Sequence, residues 1–277
     1  MNIVLSILLA LLPIILISIF IILFDKEKEP LFSYIKCYFM GFFAVCVVLL
    51  FNSVTGLKLD IYSRDFVYLF VYSFVFVGLL EEVAKFLSTM IIMKIDKHFN
   101  SYFDSIVYAA FVAMGFACLE NIIYIVNDNF NINTVILRAV FSVPSHVIFS
   151  VFMGKFIELF RTKEKGRVLY LLLAVIIPVL LHGLYDFVLL YVPNLVSTTL
   201  TFYVILISFE IILYIIGIRE IVLSSKNSRN IMMDPHSSFK LDEKKEEKKE
   251  TLEKVNCPLC GHVVEGYICP NCKSVVR

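Results

Sequence analysis

Seven apolar runs, each long enough to cross a lipid bilayer, limit how this chain can fold. A crossing helix needs about 20 apolar residues, and inside lipid every backbone N–H and C=O group must be paired within the protein. The sequence therefore predicts an all-α polytopic membrane protein. The predicted helices cover residues 3–24, 31–51, 66–93, 104–126, 134–160, 168–191 and 196–218. The third and fifth runs are longer than a crossing requires, so we expect them to tilt or to extend beyond the bilayer.

The composition agrees with a membrane protein and argues against a nucleic-acid partner. Of the 277 residues, 59% are hydrophobic, whereas soluble domains have about 45–50% apolar residues. The formal net charge of +1 gives no overall field that would attract a polyanion. The first run lacks a basic leader and a small-residue cleavage site, so we expect it to remain as a transmembrane helix.

The distribution of lysine and arginine predicts the orientation in the membrane. Basic residues are concentrated in the first, third and fifth connections and after the last helix, whereas the alternate connections have few or none. These residues are Lys26, Lys28, Lys94, Lys97, Arg161, Lys163, Lys165, Arg167, Arg219, Lys226 and Arg229. Because basic loops stay in the cytoplasm, the N-terminus is expected outside and the C-terminus inside a bacterial cell membrane.

Ionisable side chains interrupt the apolar runs in four short signatures. A charged residue at a helix centre costs about 3 kcal/mol, so the five charged ones would cost about 12–17 kcal/mol if isolated. We therefore expect them to face one another inside the bundle. The signatures are Glu81-Glu82-x-x-Lys85, Phe116-x-x-x-Glu120-Asn121, Pro144-x-His146 and His182-x-x-x-Asp186.

Helical spacing indicates which of these side chains can meet. Lys85 is one turn from both Glu81 and Glu82, so either carboxylate can be its partner. His182 and Asp186 share a face in the same way, and the carboxylate can orient the imidazole. Carboxylates and imidazoles together suit the activation of water, with a glutamate as general base and a histidine stabilising the oxyanion or protonating the leaving amine. A cavity open to the outer face would connect them.

Other interpretations remain open at this point. The polar residues could be helix–helix contacts without catalysis, in a membrane scaffold or receptor that signals through its tail. They could also form the relay of an ion- or proton-coupled transporter. No internal repeat of the kind found in many transporters is visible, and the polar groups are biased toward the outer half, which argues against transport.

The four signatures, in this order on successive helices, resemble the PrsW family of intramembrane proteases, which is distantly related to the CAAX-processing proteases. The resemblance covers residues 60–192 and is supported by Asp104, Arg138 and Gly154. It implies an intramembrane endopeptidase that cuts a single-span membrane protein, such as an anti-sigma factor in envelope stress signalling, near the outer membrane boundary.

The resemblance also implies residue roles. Glu81 and Glu82 would provide the water-activating base, without a choice between them, and Lys85 its electrostatic partner. The site would be completed by Glu120, His146, His182 and Asp186. The sequence has no His-Glu-x-x-His motif, and we expect a glutamate-dependent reaction without a catalytic metal.

The sequence indicates that the C-terminal part is a separate module. Residues 1–223 would form the membrane domain, 224–255 a charged flexible linker and 256–277 a zinc ribbon. Two Cys-x-x-Cys knuckles of the ribbon, Cys257 with Cys260 and Cys269 with Cys272, match a closed tetrahedral Zn²⁺ site. Because the fragment has almost no core, the metal would supply its folding energy. The ribbon could bind a cytoplasmic partner.

Overall fold

The structure is a computed structural model that describes residues 3–56, 60, 63–163, 165–228, 255–256 and 263–264. Seven helices in these ranges are long and apolar enough to cross a membrane, so the prediction of an all-α, seven-span protein is confirmed. In chain order the helices are α1 (Ile3–Phe24), α2 (Leu31–Thr55), α3 (Phe66–Ile95), α4 (Asp104–Asn127), α5 (Ile132–Thr162), α6 (Arg167–Leu195) and α7 (Thr199–Asn227).

Helix α4 lies at the centre of the bundle. Every residue from 104 to 117 is buried, and the helix packs against α1, α2, α3 and α5. Glycines allow the closest approaches, because a Cβ atom on Gly115 would overlap the backbone of Tyr38 in α2, and one on Gly154 of α5 would overlap the backbone of Ser105 and Ile106. Lipid tails are as apolar as the helices, so close packing of this kind is a main source of helix association.

Two of the long helices contain a π-helical segment, which the sequence analysis did not predict. The segments are Tyr72–Leu79 in α3 and Arg138–Ser142 in α5. The widened turns take up part of the extra length that the sequence analysis assigned to tilt or extension. Segments of this type are rare and often lie at functional sites, and here each ends directly before a polar signature.

Local caps define the connections between the helices. Asp65 caps α3 by accepting a hydrogen bond from the backbone N–H of Tyr68, and Asn131 caps α5 in the same way from Asn133. Gly56 ends α2 in the left-handed conformation, with φ of 67°, which glycine adopts without steric cost. These caps fix where α2 ends and where α3 and α5 begin.

Helix α7 is longer than the predicted span of residues 196–218 and includes residues 224–227, which the sequence analysis assigns to the linker. Ser225 donates a hydrogen bond to the carbonyl of Phe24 at the end of α1. Lys155 of α5 donates to Ser224 at 3.0 Å. These contacts stabilise the polar end of α7. Because this end is polar, the pattern of apolar residues in the sequence could not predict that it is helical.

Two short strands are described in the C-terminal part, Val255–Asn256 and Val263–Val264. They pair antiparallel, with Val255 opposite Val264. The four cysteines of the predicted zinc ribbon and most of the linker lie outside the described residues, so both stay predictions.

The glycine contacts of α4 yield a stability test. Gly115→Ala should destabilise the protein by about 1–3 kcal/mol, because the new methyl group meets backbone atoms and the helices must separate. Gly217→Ala is the milder comparison, since its methyl group would meet side-chain atoms of Ile148 at 2.9 Å or more, whereas that of Gly115→Ala would meet backbone atoms at 2.2 Å. Thermal unfolding in detergent measures both variants. Equal midpoints for the two would contradict close packing of α2 on α4.

Candidate active site

The seven predicted site residues come from four helices and meet in one buried cluster. Glu81, Glu82 and Lys85 follow the π-helical segment of α3, and His146 follows that of α5. The remaining three are Glu120 on α4 and His182 and Asp186 on α6. A π-helical turn rotates the residues after it relative to a regular helix, which contributes to aiming these side chains at one another.

Glu82 is the centre of the cluster. Its Oε1 atom accepts hydrogen bonds from Lys85 Nζ at 2.6 Å and from His182 Nδ1 at 2.7 Å. The side chains of Glu82 and Lys85 are fully buried, and the ammonium group also lies 4.5 Å from the ring centre of Phe116. Of the two possible carboxylate partners of Lys85, the structure thus selects Glu82 and leaves Glu81 for another role.

His146 is held from both sides. Its Nδ1 lies 3.0 Å from Lys85 Nζ and its Nε2 lies 2.9 Å from Glu120 Oε2. An ammonium group can only donate and a carboxylate can only accept. The partners therefore assign a neutral imidazole that accepts at Nδ1 and donates from Nε2–H.

Arg138, in the π-helical segment of α5, completes this side of the site. Its Nη2 donates to Glu120 Oε2 and its Nε donates to Asn121 Oδ1, both at 2.7 Å. The guanidinium group also lies 4.0 Å from the ring centre of Tyr124. Arg138 supports the family resemblance of the sequence but is not among the predicted site residues, although a cation inside an apolar run was the available signal.

Glu81 and Asp186 flank the second nitrogen of His182. Glu81 Oε2 lies 3.8 Å and Asp186 Oδ2 lies 3.6 Å from His182 Nε2. Among the described residues, none donates a hydrogen bond to Glu81 Oε2. Separations of this size between polar groups are ones that a water molecule can bridge. Glu82 Oε2 is also unpaired among the described residues, but the other oxygen of Glu82 is held by Lys85 and His182, whereas no such hydrogen bond holds the Glu81 carboxylate.

A cavity of about 410 Å³ reaches this cluster from one end of the bundle. Its polar lining includes Glu120, His146, His182 and Asp186. The volume falls within the range of ordinary ligand pockets. The remaining wall is mainly aromatic and aliphatic and includes Tyr72, Tyr124, Leu137, Phe141, Tyr185, Leu189, Phe202, Tyr203 and Leu206.

Three residues of the cluster could in principle act as ligands of one metal ion. Glu81, His146 and His182 offer one ligand atom each within 4.8 Å of one another, and Glu82 on His182 Nδ1 would be a suitable outer partner. However, both nitrogens of His146 are engaged, with Lys85 and with Glu120. As bonded, the triad offers two open ligand atoms, fewer than the three protein ligands of a catalytic zinc site, so it does not fit a metal without rearrangement.

A buried glutamate on α7, which the sequence analysis missed, supports the segment before His146. Glu210 is 1% exposed, and its two carboxylate oxygens lie 2.9 and 2.8 Å from Ser145 Oγ. Tyr214 donates to the carbonyl of Val140 at 2.7 Å. Helix α7 is thereby fixed to the π-helical part of α5. The signal was again a carboxylate inside an apolar run.

Comparisons with known proteins agree with this geometry. A family model described as "PrsW family intramembrane metalloprotease" matches residues 29–214. "Protease PrsW" of Clostridioides difficile (strain 630) is 37% identical over 189 residues, which cover 66% of this chain and 78% of that protein. The Oceanobacillus iheyensis protein of that name is 31% identical over 216 residues, covering 78% and 94% of the two chains. The Bacillus subtilis (strain 168) protein is 34% identical over 192 residues, covering 69% and 85%. No solved structure matches the chain.

The buried pair of Glu82 and Lys85 yields a second stability test. Removing one partner leaves the other charge buried without its counter-ion, so Glu82→Gln and Lys85→Met should each cost about 3–5 kcal/mol. The double variant should cost clearly less than the sum, because neither charge remains. Unfolding by denaturing detergent measures the free energy of each form. Strictly additive losses would contradict a direct interaction, and Glu27→Gln in the loop after α1 serves as the control for an exposed carboxylate.

Proposed function

The chain belongs to the PrsW family of intramembrane metalloproteases, and we propose that it cuts a membrane-anchored protein with a water molecule activated by Glu81. The observation that carries this assignment is the carboxylate of Glu81, which forms no hydrogen bond with a described side chain and whose Oε2 lies 3.8 Å from His182 Nε2. Glu82 is already bound to Lys85 and His182. It therefore acts as the positioning carboxylate rather than as the base.

The reaction steps follow from the contacts. Water held between Glu81 and His182 loses a proton to Glu81 while its oxygen bonds to the peptide carbonyl carbon. Arg138, which lines the cavity and uses only Nε and Nη2 in its hydrogen bonds to Asn121 and Glu120, stabilises the oxyanion of the tetrahedral intermediate with Nη1. The C–N bond then breaks, and the leaving amine takes the proton from Glu81. His182 stays oriented by its Nδ1–H bond to Glu82, and Asp186 lies on its other nitrogen.

The substrate enters from the end of the bundle opposite the basic loops. The cavity is lined by Thr134 and Leu137 near the start of α5, by Leu190 near the end of α6, and by Phe202 and Tyr203 near the start of α7. The lysine- and arginine-rich connections lie at the other ends of these helices. With basic loops in the cytoplasm, the cavity opens outward, the N-terminus lies outside and the C-terminus inside.

The aromatic wall and the outward opening suit an apolar segment of a single-span protein near the outer membrane boundary. The resemblance of the signatures suggests an anti-sigma factor as substrate. Release of the attached sigma factor would then link proteolysis to an envelope stress response. The zinc ribbon of Cys257, Cys260, Cys269 and Cys272 is proposed as a cytoplasmic module that binds one structural Zn²⁺ and a partner protein.

The assignment of the base is tested by comparing protein N-termini in membranes from cells with wild type or variants. Under envelope stress, a new N-terminus near the outer end of a single-span protein should appear with wild type. Glu81→Gln should lower its formation by about 10²–10⁴-fold, as expected when a general base is lost. Glu27→Gln, the same change at an exposed position of the loop after α1, should leave it unchanged.

Equal insertion of all forms must be shown on the same membranes. If Glu81→Gln cleaves like wild type, the water-activating role of Glu81 is wrong. If no N-terminus depends on the protein but stress signalling does, the scaffold interpretation replaces proteolysis.

We also propose that the reaction needs no metal at Glu81, His146 and His182, in contrast to the family description. Cleavage by purified protein in lipid should persist with 1,10-phenanthroline, because the two nitrogens of His146 are used by Lys85 and Glu120. Cys257→Ser, which removes a ligand of the proposed ribbon, should lose bound zinc and retain cleavage. Loss of activity that zinc restores in both wild type and Cys257→Ser would assign a catalytic metal instead.

A further inference from the structure

We propose that a groove between α3 and α5, at the opposite end from the cavity, binds an anionic phospholipid. The groove has a volume of about 520 Å³ and is formed by the C-terminal halves of both helices, with Phe99 of the connecting loop between them. Its lining residues are Leu87, Met90, Ile91, Met93, Lys94, Phe99, Ile157, Phe160 and Arg161. None of them belongs to the candidate active site.

The order of residues along the groove matches the shape of a lipid. Met90 and Ile91 of α3 lie one turn deeper in the bundle than Lys94, and Ile157 of α5 lies one turn deeper than Arg161. An acyl chain can therefore lie against the apolar part while a phosphate group reaches the cations. Basic pockets between transmembrane helices at the cytoplasmic side are known to suit anionic headgroups.

The two cations differ in how they are held. Arg161 is 7% exposed, lies 3.9 Å from the ring centre of Phe99 and donates to Ser105 Oγ at 2.9 Å. Asp104 is close enough to offset part of its charge. Lys94 is exposed, and it forms no hydrogen bond or ion pair with the part of the chain that the structure describes. Lys94 is thus the cation that can approach a headgroup, and Arg161 forms a fixed wall.

Nearby acidic residues do not cancel this charge. Asp96 is bound by Lys36 at 2.7 Å. Burial alone would raise the pKa of Asp96, but hydrogen bonds from Lys36, Ser33 and His98 lower it to about 2. Glu158 is bound by Lys155 at 3.1 Å. The rim of the groove therefore keeps a positive field, which favours an anionic headgroup over a zwitterionic one.

Lipid is also the solvent that the groove faces. Leu87 and Ile91 are 53% and 46% exposed, and both lie within a membrane-spanning helix. A bilayer lipid covers such a surface by default. The groove would bind one lipid with a negative headgroup more tightly than it binds the other bilayer lipids. This binding does not depend on the proposed catalytic mechanism.

The test is native mass spectrometry of the full-length protein in detergent, titrated separately with phosphatidylglycerol and phosphatidylcholine. Wild type should bind one phosphatidylglycerol more tightly than phosphatidylcholine. Lys94→Gln should weaken phosphatidylglycerol binding about fivefold, as expected for one cation near a lipid surface, and leave phosphatidylcholine unchanged. Leu87→Trp, which fills the groove, should weaken both.

Two matched variants serve as controls and should behave as wild type. Lys226→Gln removes an exposed charge at the same end of the bundle, and Ile176→Trp adds an indole to a lipid-facing position of α6 that is 46% exposed. Equal binding of both lipids by wild type would overturn the proposal. So would a loss in Lys226→Gln as large as in Lys94→Gln, or competition by glycerol 3-phosphate as effective as that by the whole lipid.

Discussion

The contact between Glu82 and Lys85 connects the polar interior of this bundle. Both side chains are fully buried, so neither charge can be hydrated and each requires the other. From this pair the hydrogen bonds continue through His182 to α6 and through His146 to α5. A single ion pair on α3 therefore fixes how two further helices are oriented around the site, which polar contacts in lipid can do because no other partner is available.

The backbone makes this arrangement possible in two ways. Glycines let the helices approach one another closely. At Gly183 of α6, for example, a Cβ atom would overlap Phe74 in the π-helical segment of α3. Gly183 follows His182 directly, so this close approach of α6 to α3 lies next to the hydrogen bond between His182 and Glu82. The π-helical segments then widen α3 and α5 just before Glu81 and His146. Helix packing and the π-helical geometry thus bring the polar side chains of the site together, and the ion pairs stabilise this arrangement.

Much of this could be predicted from the sequence. The seven spans follow from apolar length alone, and the interior charges follow from their cost in lipid, since isolated carboxylates such as Glu120 would not be tolerated. The choice of Glu82 as the partner of Lys85 could not be predicted, because i,i+3 and i,i+4 spacing are equally favourable. The π-helical segments leave no signal in apolar periodicity, and Arg138 and Glu210 were missed although the criterion applied to Glu120 also covers them.

The charges of the site divide its carboxylates into two kinds, those that are paired with a permanent cation and those that are not. Glu81, Glu82, Glu120 and Asp186 are four carboxyl groups, and Lys85 and Arg138 are the permanent cations that contact members of this set. Lys85 is used by Glu82 and Arg138 by Glu120, which leaves Glu81 and Asp186 without a permanent counter-ion and facing the same nitrogen of His182. In the proposed reaction, the proton that water gives up during peptide hydrolysis passes to Glu81, next to His182 of the cavity wall and apart from the ion pairs that hold the helices.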